Sequence, residues 1–176
     1  TRFGILHPDT AYGQELARLF AQEARQFGGE IIAVESYKET DTDFGLPIKR
    51  LKLEDLKRHG RTKTVPMSKG GTRVVYEPGF DAVFLPGRSS QIGLLTAQLL
   101  FYDVKVGFLG NSTWNSPDLL RAADRTIEGD VFVDGFFADS ADPTIHDFVV
   151  SYRLRHQADP TSFAAHAYDA TRVVLD

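Results

Sequence analysis

Several polar residues and two aromatic residues of this sequence have side chains that could bind a ligand. They fall in three segments, each directly after a short apolar run. Hydroxyl, amide and guanidinium groups beside aromatic rings suit a small polar ligand held by directed hydrogen bonds against an apolar wall, with the guanidinium available for a carboxylate. The candidate binding residues are Tyr12, Arg88, Ser89, Ser90, Asn111, Ser112, Thr113 and Trp114.

Each of these residues also has a purely structural interpretation. Ser89 and Ser90 could cap a helix, Trp114 could belong to the core, and Arg88 could be a solvated surface charge. We therefore predict a ligand-binding edge for the group and treat each individual role as a hypothesis.

Catalytic and phosphate-binding motifs are missing from the sequence. It has no G-x-G-x-x-G and no P-loop, Ser89 lies in GRSSQ rather than G-x-S-x-G, and no histidines have H-x-x-x-H or H-E-x-x-H spacing. His7-Pro8-Asp9 could seed a metal site, although a turn with a helix cap is the favoured interpretation. We predict no catalytic residue, no cofactor and no metal, and an enzyme on a flavodoxin-like sheet is the least favoured alternative.

Composition points to one compact soluble domain that does not bind nucleic acid through a globally basic surface. The 176 residues are 42% hydrophobic and carry a formal net charge of −4. Zero cysteines exclude disulfides and thiolate catalysis and leave the redox compartment undetermined. No apolar run approaches the roughly 18 residues that cross a bilayer, and no charged-then-apolar leader opens the chain. We expect an excised piece of a longer protein.

Apolar runs of strand length alternate with segments of helical spacing along the chain. This order predicts an α/β fold with three layers, a doubly wound and mostly parallel sheet of about five strands with helices on both faces, because parallel neighbours need crossover connections. The predicted strands are 2–7, 30–37, 80–85, 105–109 and 131–137, and the predicted helices are 12–27, 43–58, 91–101, 117–124, 143–156 and 163–175.

The three polar segments follow the first, third and fourth predicted strands. Ligands of open parallel sheets bind at the carboxyl edge, where loops diverge and helix N-termini direct their free N–H groups into the crevice. We therefore predict that Tyr12, Ser89 and Trp114 lie along one edge of the sheet.

Residues 59–79 interrupt this pattern. Their glycines and prolines predict an irregular loop with a short extended piece at 72–76. From Lys49 to Arg73 there are nine basic residues against two acidic ones. A solvated excursion is the favoured interpretation, and a docking patch for an anionic cell-wall polymer, a membrane surface or another protein is the alternative. Nucleic acid is disfavoured because Tyr76 is the one aromatic residue among those charges.

Several segments together resemble a known family. HPDTAYGQELARLFAQEARQFGGEIIAVESYKETDTDFGLPIKRL is similar to the opening of the second lobe in type I periplasmic binding proteins of the branched-chain amino-acid receptor group. FDAVFLPG, FLGNSTWNSP, EGDVFVDGFFADS and AHAYDATRVVLD resemble later elements of that lobe. The resemblance implies that residues 1–160 form a ligand-binding second lobe, with 161–176 a helix that returns toward a first lobe missing from the chain, and that the two lobes close on a ligand.

The resemblance also implies a function. It suggests a non-catalytic lobe of an extracytoplasmic receptor for a small polar metabolite, an amino acid or a related compound, with Tyr168 near the hinge as a further site residue. It implies an ABC transporter permease as a partner and a periplasmic location, or a lipid anchor at the outer face of a bacterial membrane. Some amino-acid receptors carry an acidic residue in the loop that corresponds to Asn111–Trp114, and this chain does not, so the ligand's ammonium group loses a candidate partner.

An alternative function comes from a second resemblance. FYDV, WNSP and DGFFADS are similar to segments of penicillin-binding protein activators, receptor-like lipoproteins in which this lobe regulates cell-wall synthesis. On this hypothesis the cleft is vestigial, and the basic segment Lys49–Arg73 docks a cell-wall synthesis enzyme or an anionic polymer.

Overall fold

A parallel sheet of five strands forms the centre of the larger part of the molecule. The computed structural model describes residues 1–68 and 70–175, without the side chain of residue 124. The strands are β1 (Arg2–Pro8), β2 (Glu30–Tyr37), β3 (Arg61–Pro66), β4 (Thr72–Glu77), β5 (Ala82–Phe84), β6 (Gly107–Gly110) and β7 (Val131–Phe132). The α-helices are α1 (Ala11–Gln26), α2 (Gly45–Leu56), α3 (Ser89–Phe101), α4 (Pro117–Ala123), α5 (Pro143–His156) and α6 (Ser162–Leu175).

Helices cover both faces of this sheet, whose strand order is β2-β1-β5-β6-β7 with every neighbouring pair parallel. Successive side chains of a strand point to opposite faces. Ile5 of β1 belongs to an apolar cluster with Ala17 of α1, whereas Leu6 belongs to the cluster that holds Ile48 of α2 and Leu95 of α3. The predicted three-layer, doubly wound α/β architecture is confirmed.

The start of α1 shows how the chain turns from strand to helix at the carboxyl edge. Thr10 caps the helix, and its hydroxyl accepts a hydrogen bond of 3.1 Å from the amide of Gly13. The helix leaves β1 so closely that a Cβ atom on Gly13 would lie 2.3 Å from the carbonyl oxygen of Pro8. Only glycine fits there, and α1 therefore begins directly beside the end of β1.

The irregular loop predicted for residues 59–79 is instead largely an antiparallel hairpin. β3 pairs with β4 from Arg61 opposite Glu77 to Pro66 opposite Thr72. The glycines that suggested a loop serve the turn, where Gly70 and Gly71 have φ angles of +84° and +88°. The flanking β-branched residues, Thr and Val, favour extended strands.

A buried carboxylate attaches this hairpin to α2. Asp55 has no exposed surface, and its Oδ2 accepts hydrogen bonds from the Tyr76 hydroxyl at 2.5 Å and from the Gly79 amide at 2.7 Å. Lys52 lies over the Tyr76 ring, 4.5 Å from its centroid. A two-stranded hairpin is marginal alone, so these contacts stabilise it against the body of the sheet.

The last strand is shorter than the predicted 131–137. β7 holds two residues, because β6 pairs with it only through Leu109 and Gly110 before the chain enters a 3₁₀ turn at Ser112–Trp114. The Val133 amide still donates to the Gly110 carbonyl at 3.3 Å, and β6 then ends, so the ladder between the two strands ends there as well.

The chain divides into two compact units, Thr1–Val133 and Asp134–Asp176. The second unit contains α5, capped by the Asp142 carboxylate, which accepts a 2.8 Å bond from the Thr144 amide, and α6. The predicted boundary at residue 160 is a different division, between the ligand-binding lobe and a helix that returns toward a first lobe, and it stays a prediction. In the described part of the chain, no helix is both long enough and apolar enough to span a bilayer.

Candidate functional site

The loops that follow four parallel strands surround a surface cavity of about 310 Å³. It lies where the order of the strands reverses, between β1 and β5, which is where open α/β sheets bind ligands. The structure brings together three predicted residues from three different loops, Tyr12, Arg88 and Thr113. The lining consists of Pro8, Thr10, Tyr12, Glu39, Gly87, Arg88 and Thr113.

A series of hydrogen bonds connects three of these loops. The side-chain amide of Asn111 donates to the Tyr12 hydroxyl at 3.1 Å. The Thr113 hydroxyl is 2.9 Å from Asn111 Oδ1 and also reaches the Gly87 carbonyl, so its single proton serves one acceptor at a time. Asn111 is buried and Tyr12 is 55% exposed. The bond therefore holds the phenol oxygen while the ring stays open to a ligand.

An ion pair bridges the loops after β2 and β5. The Arg88 guanidinium Nε lies 3.1 Å from Glu39 Oε1. The side-chain amide of Gln91 also donates to the backbone carbonyl of Glu39 at 2.7 Å, which keeps the β2 loop beside α3. The Arg88 side chain is 73% exposed, and exposed pairs of this kind contribute little stability, so its guanidinium can exchange partners at low cost.

Two helices begin at the cavity. Thr10, which caps α1, and Arg88, which precedes α3, both belong to its lining. Within the described chain, the Arg88 side chain makes no capping bond to α3. Helix N-termini carry partial positive charge, so both helices add to Arg88 in favouring an anion here.

A buried tyrosine lies directly beneath the cavity. Tyr37 is 3% exposed, and a Cβ atom on Gly87 would lie 2.5 Å from its hydroxyl oxygen. Among the described residues, that hydroxyl has no hydrogen-bond partner. Burial, together with the nearby Glu39 charge, raises the pKa of Tyr37, so the phenol stays neutral. The close approach requires glycine at position 87.

Three predicted serines flank the cavity. Ser89 is half-buried and Ser90 exposed in the first turn of α3, and Ser112 is exposed in the 3₁₀ turn. Among the described residues, none of the three belongs to the cavity lining. Their ligand-binding roles remain predictions.

Trp114 lies outside the lining of the cavity, and its predicted ligand-binding role stays a prediction. It is 2% exposed, and its indole N–H donates to the Leu85 carbonyl at 3.2 Å. Its ring packs on the backbone of Gly110, where a Cβ atom would approach it to 2.2 Å. Trp114 is thus a core residue that supports the end of β6. It also borders a separate concavity of about 370 Å³ together with Leu120 and Phe132.

Tyr168 lies in the second unit. Its ring packs against Phe148 of α5 with centroids 4.7 Å apart, and 42% of its surface is exposed. Together with Phe136, which contacts the Phe148 ring, it belongs to a small aromatic cluster. Its predicted role near the hinge stays a prediction.

His7 is buried at the end of β1 rather than presented to the cavity. Its exposure is 8%, and its Nδ1 lies 2.9 Å from the Pro8 carbonyl oxygen. Among the described residues, no group of three histidine or acidic side chains is placed to hold a metal ion.

Comparison with protein families gives a match over the whole chain. A family model described as "Periplasmic binding protein" matches residues 1–176. The chain belongs to the periplasmic binding protein family. This confirms the family resemblance inferred from the sequence, and the family consists of binding proteins rather than enzymes.

Solved structures show the same fold as this periplasmic binding protein. A putative branched-chain amino acid ABC transporter from Rhodospirillum rubrum is 22% identical with a TM-score of 0.75, over 97% of this chain and 42% of that one. A leucine binding protein from Thermotoga maritima is 20% identical with a TM-score of 0.72, over 99% and 43%. A solute binding protein from R. palustris in complex with benzoate is 16% identical with a TM-score of 0.66, over 98% and 41%. A search of curated proteins found no match.

The chain of this periplasmic binding protein therefore spans about two fifths of the length of these structures. Its cavity also contains two polar side chains that are not among the candidate binding residues, Thr10 and Glu39. Glu39 follows β2, whose carboxyl end meets the same edge as β1, so the rule used for the other three loops would have found it.

Proposed function

We propose that the chain forms the second lobe of an extracytoplasmic solute receptor and supplies one side of a cleft for a small carboxylate. The observation that carries this proposal is the convergence of Arg88 and the starts of α1 and α3 on one cavity. A guanidinium fork and helix N-termini both favour a carboxylate. Tyr12 supplies an aromatic wall for the apolar part of the ligand.

The solved structures with this fold support a carboxylate as the common feature of the ligand. One is named for leucine, and another contains benzoate. The two molecules share a carboxylate and an apolar body and differ in the amino group. Arg88 and Tyr12 match the shared parts.

Glu39 gives this lobe a partner for an ammonium group, which the loop Asn111–Trp114 lacks. Arg88 and Glu39 already face each other at 3.1 Å. An amino acid zwitterion entering the cavity would bind its carboxylate to Arg88 and its ammonium to Glu39, so each protein charge exchanges one partner for another. We therefore extend the proposal to amino acids.

The remaining contacts would come from a first lobe that closes over this edge. Ligand binding then shifts the receptor toward the closed state, which an ABC transporter permease recognises. The first lobe would also cover apolar residues of α6, because Phe163 and Val174 are 84% and 83% exposed. We place the receptor in the periplasm or on a lipid anchor at the outer face of a bacterial membrane.

A thermal-shift panel on the intact two-lobed receptor tests this proposal. L-leucine, benzoate and other small carboxylates should raise the melting temperature, because a ligand that binds only the folded state stabilises it. The corresponding amides are the matched control and should have little effect. Equal shifts with acids and amides would contradict the carboxylate role.

A second candidate function is regulation of a cell-wall synthesis enzyme, as in the penicillin-binding protein activators. The exposed basic residues of the β3–β4 hairpin favour it, among them Arg61, Lys63 and Arg73. Replacing these residues should abolish pull-down of such an enzyme and leave ligand binding unchanged. If the receptor function holds instead, replacement of Arg88 should have the opposite effects.

A further inference from the structure

The solvent-exposed side of α2 carries leucines at positions where a surface helix normally has polar residues. Ile48, Leu51 and Asp55 face the core and have no exposed surface. On the opposite side, Leu46 is 61% exposed and Leu53 56%. We call this side, formed by Leu46, Lys49, Leu53 and Leu56, the outer face of α2.

Lysines border these leucines. Lys49 and Lys52 surround a shallow apolar recess of about 290 Å³ with Leu53 and Leu56. Long lysine side chains can lay their alkyl stems on apolar surface while the ammonium reaches outward. Leucines with lysines at the border are the pattern of helices that lie in a membrane interface.

The basic hairpin, defined as β3 and β4 (61–77), extends this surface. It lies against α2 through the Asp55 contacts and presents Arg61 and Lys63. Two apolar residues are also exposed, Met67 near its turn at 46% and Val74 on β4 at 67%. Exposed cations and exposed apolar side chains therefore occur on both elements.

Carboxylates oppose some of these cations, and the remaining charge is positive. Glu35 faces Arg50, Glu54 pairs with Lys57, Glu77 faces Lys63, and Asp103 faces Arg73. Among the described residues, Lys49 and Arg61 have no carboxylate partner, and Lys52 donates to the Tyr102 carbonyl at 2.5 Å.

The basic hairpin and the C-terminal end of α2 lie at the opposite edge of the sheet from the ligand cavity, whereas Leu46 lies at the start of α2. Helices that connect parallel strands begin at the carboxyl edge and end at the amino edge. Accordingly, Arg58 and His59, just after α2, reach Glu30, the first residue of β2. A partner at this edge would leave the cavity free.

We propose that the outer face of α2 and the basic hairpin dock on an anionic membrane surface. The surface is broad and shallow, whereas a partner helix would need a groove. The apolar residues among the cations favour lipid over a soluble polyanion, because a polymer of phosphates or carboxylates gains nothing from leucine. Headgroups would meet Lys49, Arg61 and Lys63, and the leucines would enter the interface.

Vesicle co-sedimentation of the protein tests this proposal. It should sediment with phosphatidylcholine vesicles that contain phosphatidylglycerol, bind pure phosphatidylcholine at least tenfold more weakly, and dissociate at high salt. Two variants should each weaken partitioning by about tenfold or more. The charge variant is Lys49→Gln/Arg61→Gln/Lys63→Gln, and the leucine variant is Leu46→Ser/Leu53→Ser. Matched controls change exposed residues elsewhere, Arg18→Gln/Arg121→Gln/Arg155→Gln and Leu120→Ser/Leu154→Ser, and should partition like the wild type.

The outcomes separate the alternatives. Absence of sedimentation with anionic vesicles would overturn the proposal, as would equal binding to neutral vesicles. The proposal would also be overturned if the charge variant lost vesicle binding while Leu46→Ser/Leu53→Ser had no effect. That result would assign the surface to a soluble polyanion or an acidic protein. Circular dichroism melting of each variant confirms that it is folded, so reduced binding reports the surface itself.

Discussion

The side-chain amide of Asn111 donates a hydrogen bond of 3.1 Å to the hydroxyl of Tyr12, 99 positions earlier in the chain. Asn111 begins the loop after β6, and Tyr12 lies in the first turn of α1. The bond therefore joins two strand-end loops across the carboxyl edge of the sheet. It explains why an exposed aromatic ring at this edge has a defined position.

Replacing Asn111 with alanine should disturb this edge. The Tyr12 hydroxyl and the Thr113 hydroxyl would each lose a partner, and we expect the free energy of unfolding to fall by about 1–2 kcal/mol. Ligand affinity of the intact receptor should fall as well, because Tyr12 would lose its fixed orientation. Urea unfolding and calorimetric titration measure the two effects, and Ser151→Ala, at an exposed position of α5, is the matched control. Unchanged stability and affinity would contradict the assigned role.

Gly87→Ala should destabilise the protein, because the added methyl group would lie 2.5 Å from the Tyr37 hydroxyl oxygen. We expect a loss of about 1–3 kcal/mol in urea unfolding. Tyr37→Phe removes that oxygen and should restore most of the loss in the double variant. Gly107→Ala, where nothing lies within 4 Å of the added atom, should have a much smaller effect. A double variant no more stable than Gly87→Ala would show that another contact is responsible.

Stability should fall at alkaline pH through two buried tyrosines. Burial raises the pKa of Tyr37 and, with the adjacent Asp55, that of Tyr76 above the ordinary value of 10.0. The unfolded chain releases these protons near pH 10 and the folded chain only at higher pH, so unfolding becomes easier above about pH 10, by up to roughly 1.4 kcal/mol per pH unit for each tyrosine. Burial lowers the pKa of Lys52 and acts in the opposite direction.

The informative comparison is therefore between variants. Urea unfolding across this pH range should show a shallower decline for Tyr37→Phe/Tyr76→Phe than for the wild type. Parallel declines would mean that neither phenol is responsible.

The sheet and its helices could be predicted from the sequence because their signals are local. Short apolar runs and helical spacing predicted the five strands of the sheet, although the last one is only Val131–Phe132, and α5 was predicted with its observed bounds, Pro143–His156. The hairpin was missed because Gly70 and Gly71 were interpreted as loop residues, whereas their left-handed backbone serves a tight turn. Its attachment depends on Asp55 and Tyr76, which are 21 positions apart, and spacing alone cannot show such a contact.

The position of the cavity could be predicted from the sequence, but the set of side chains that line it could not. The rule that ligands bind at carboxyl ends of parallel strands located Tyr12, Arg88 and Thr113 at one edge. It could not tell which side chain of the β6 loop turns inward, so Trp114 was assigned to the ligand although its indole is bonded to Leu85. Glu39 was missed because the loop after β2 was not considered.

An isolated second lobe should bind its ligand weakly. With half of the contacts absent, we expect millimolar affinity or none, about 4 kcal/mol or less. Isothermal titration of the lone lobe against leucine and benzoate measures this directly. Micromolar binding would show that the cavity is complete without a first lobe.

If Arg88 recognises the ligand carboxylate, titration of the intact receptor carrying Arg88→Gln should show it. Loss of a charged hydrogen bond should raise the dissociation constant for the best carboxylate at least about tenfold, while exposed Arg121→Gln should bind like the wild type. If the Arg88→Gln receptor binds as tightly as the wild type, the carboxylate is held elsewhere and Arg88 does not recognise it.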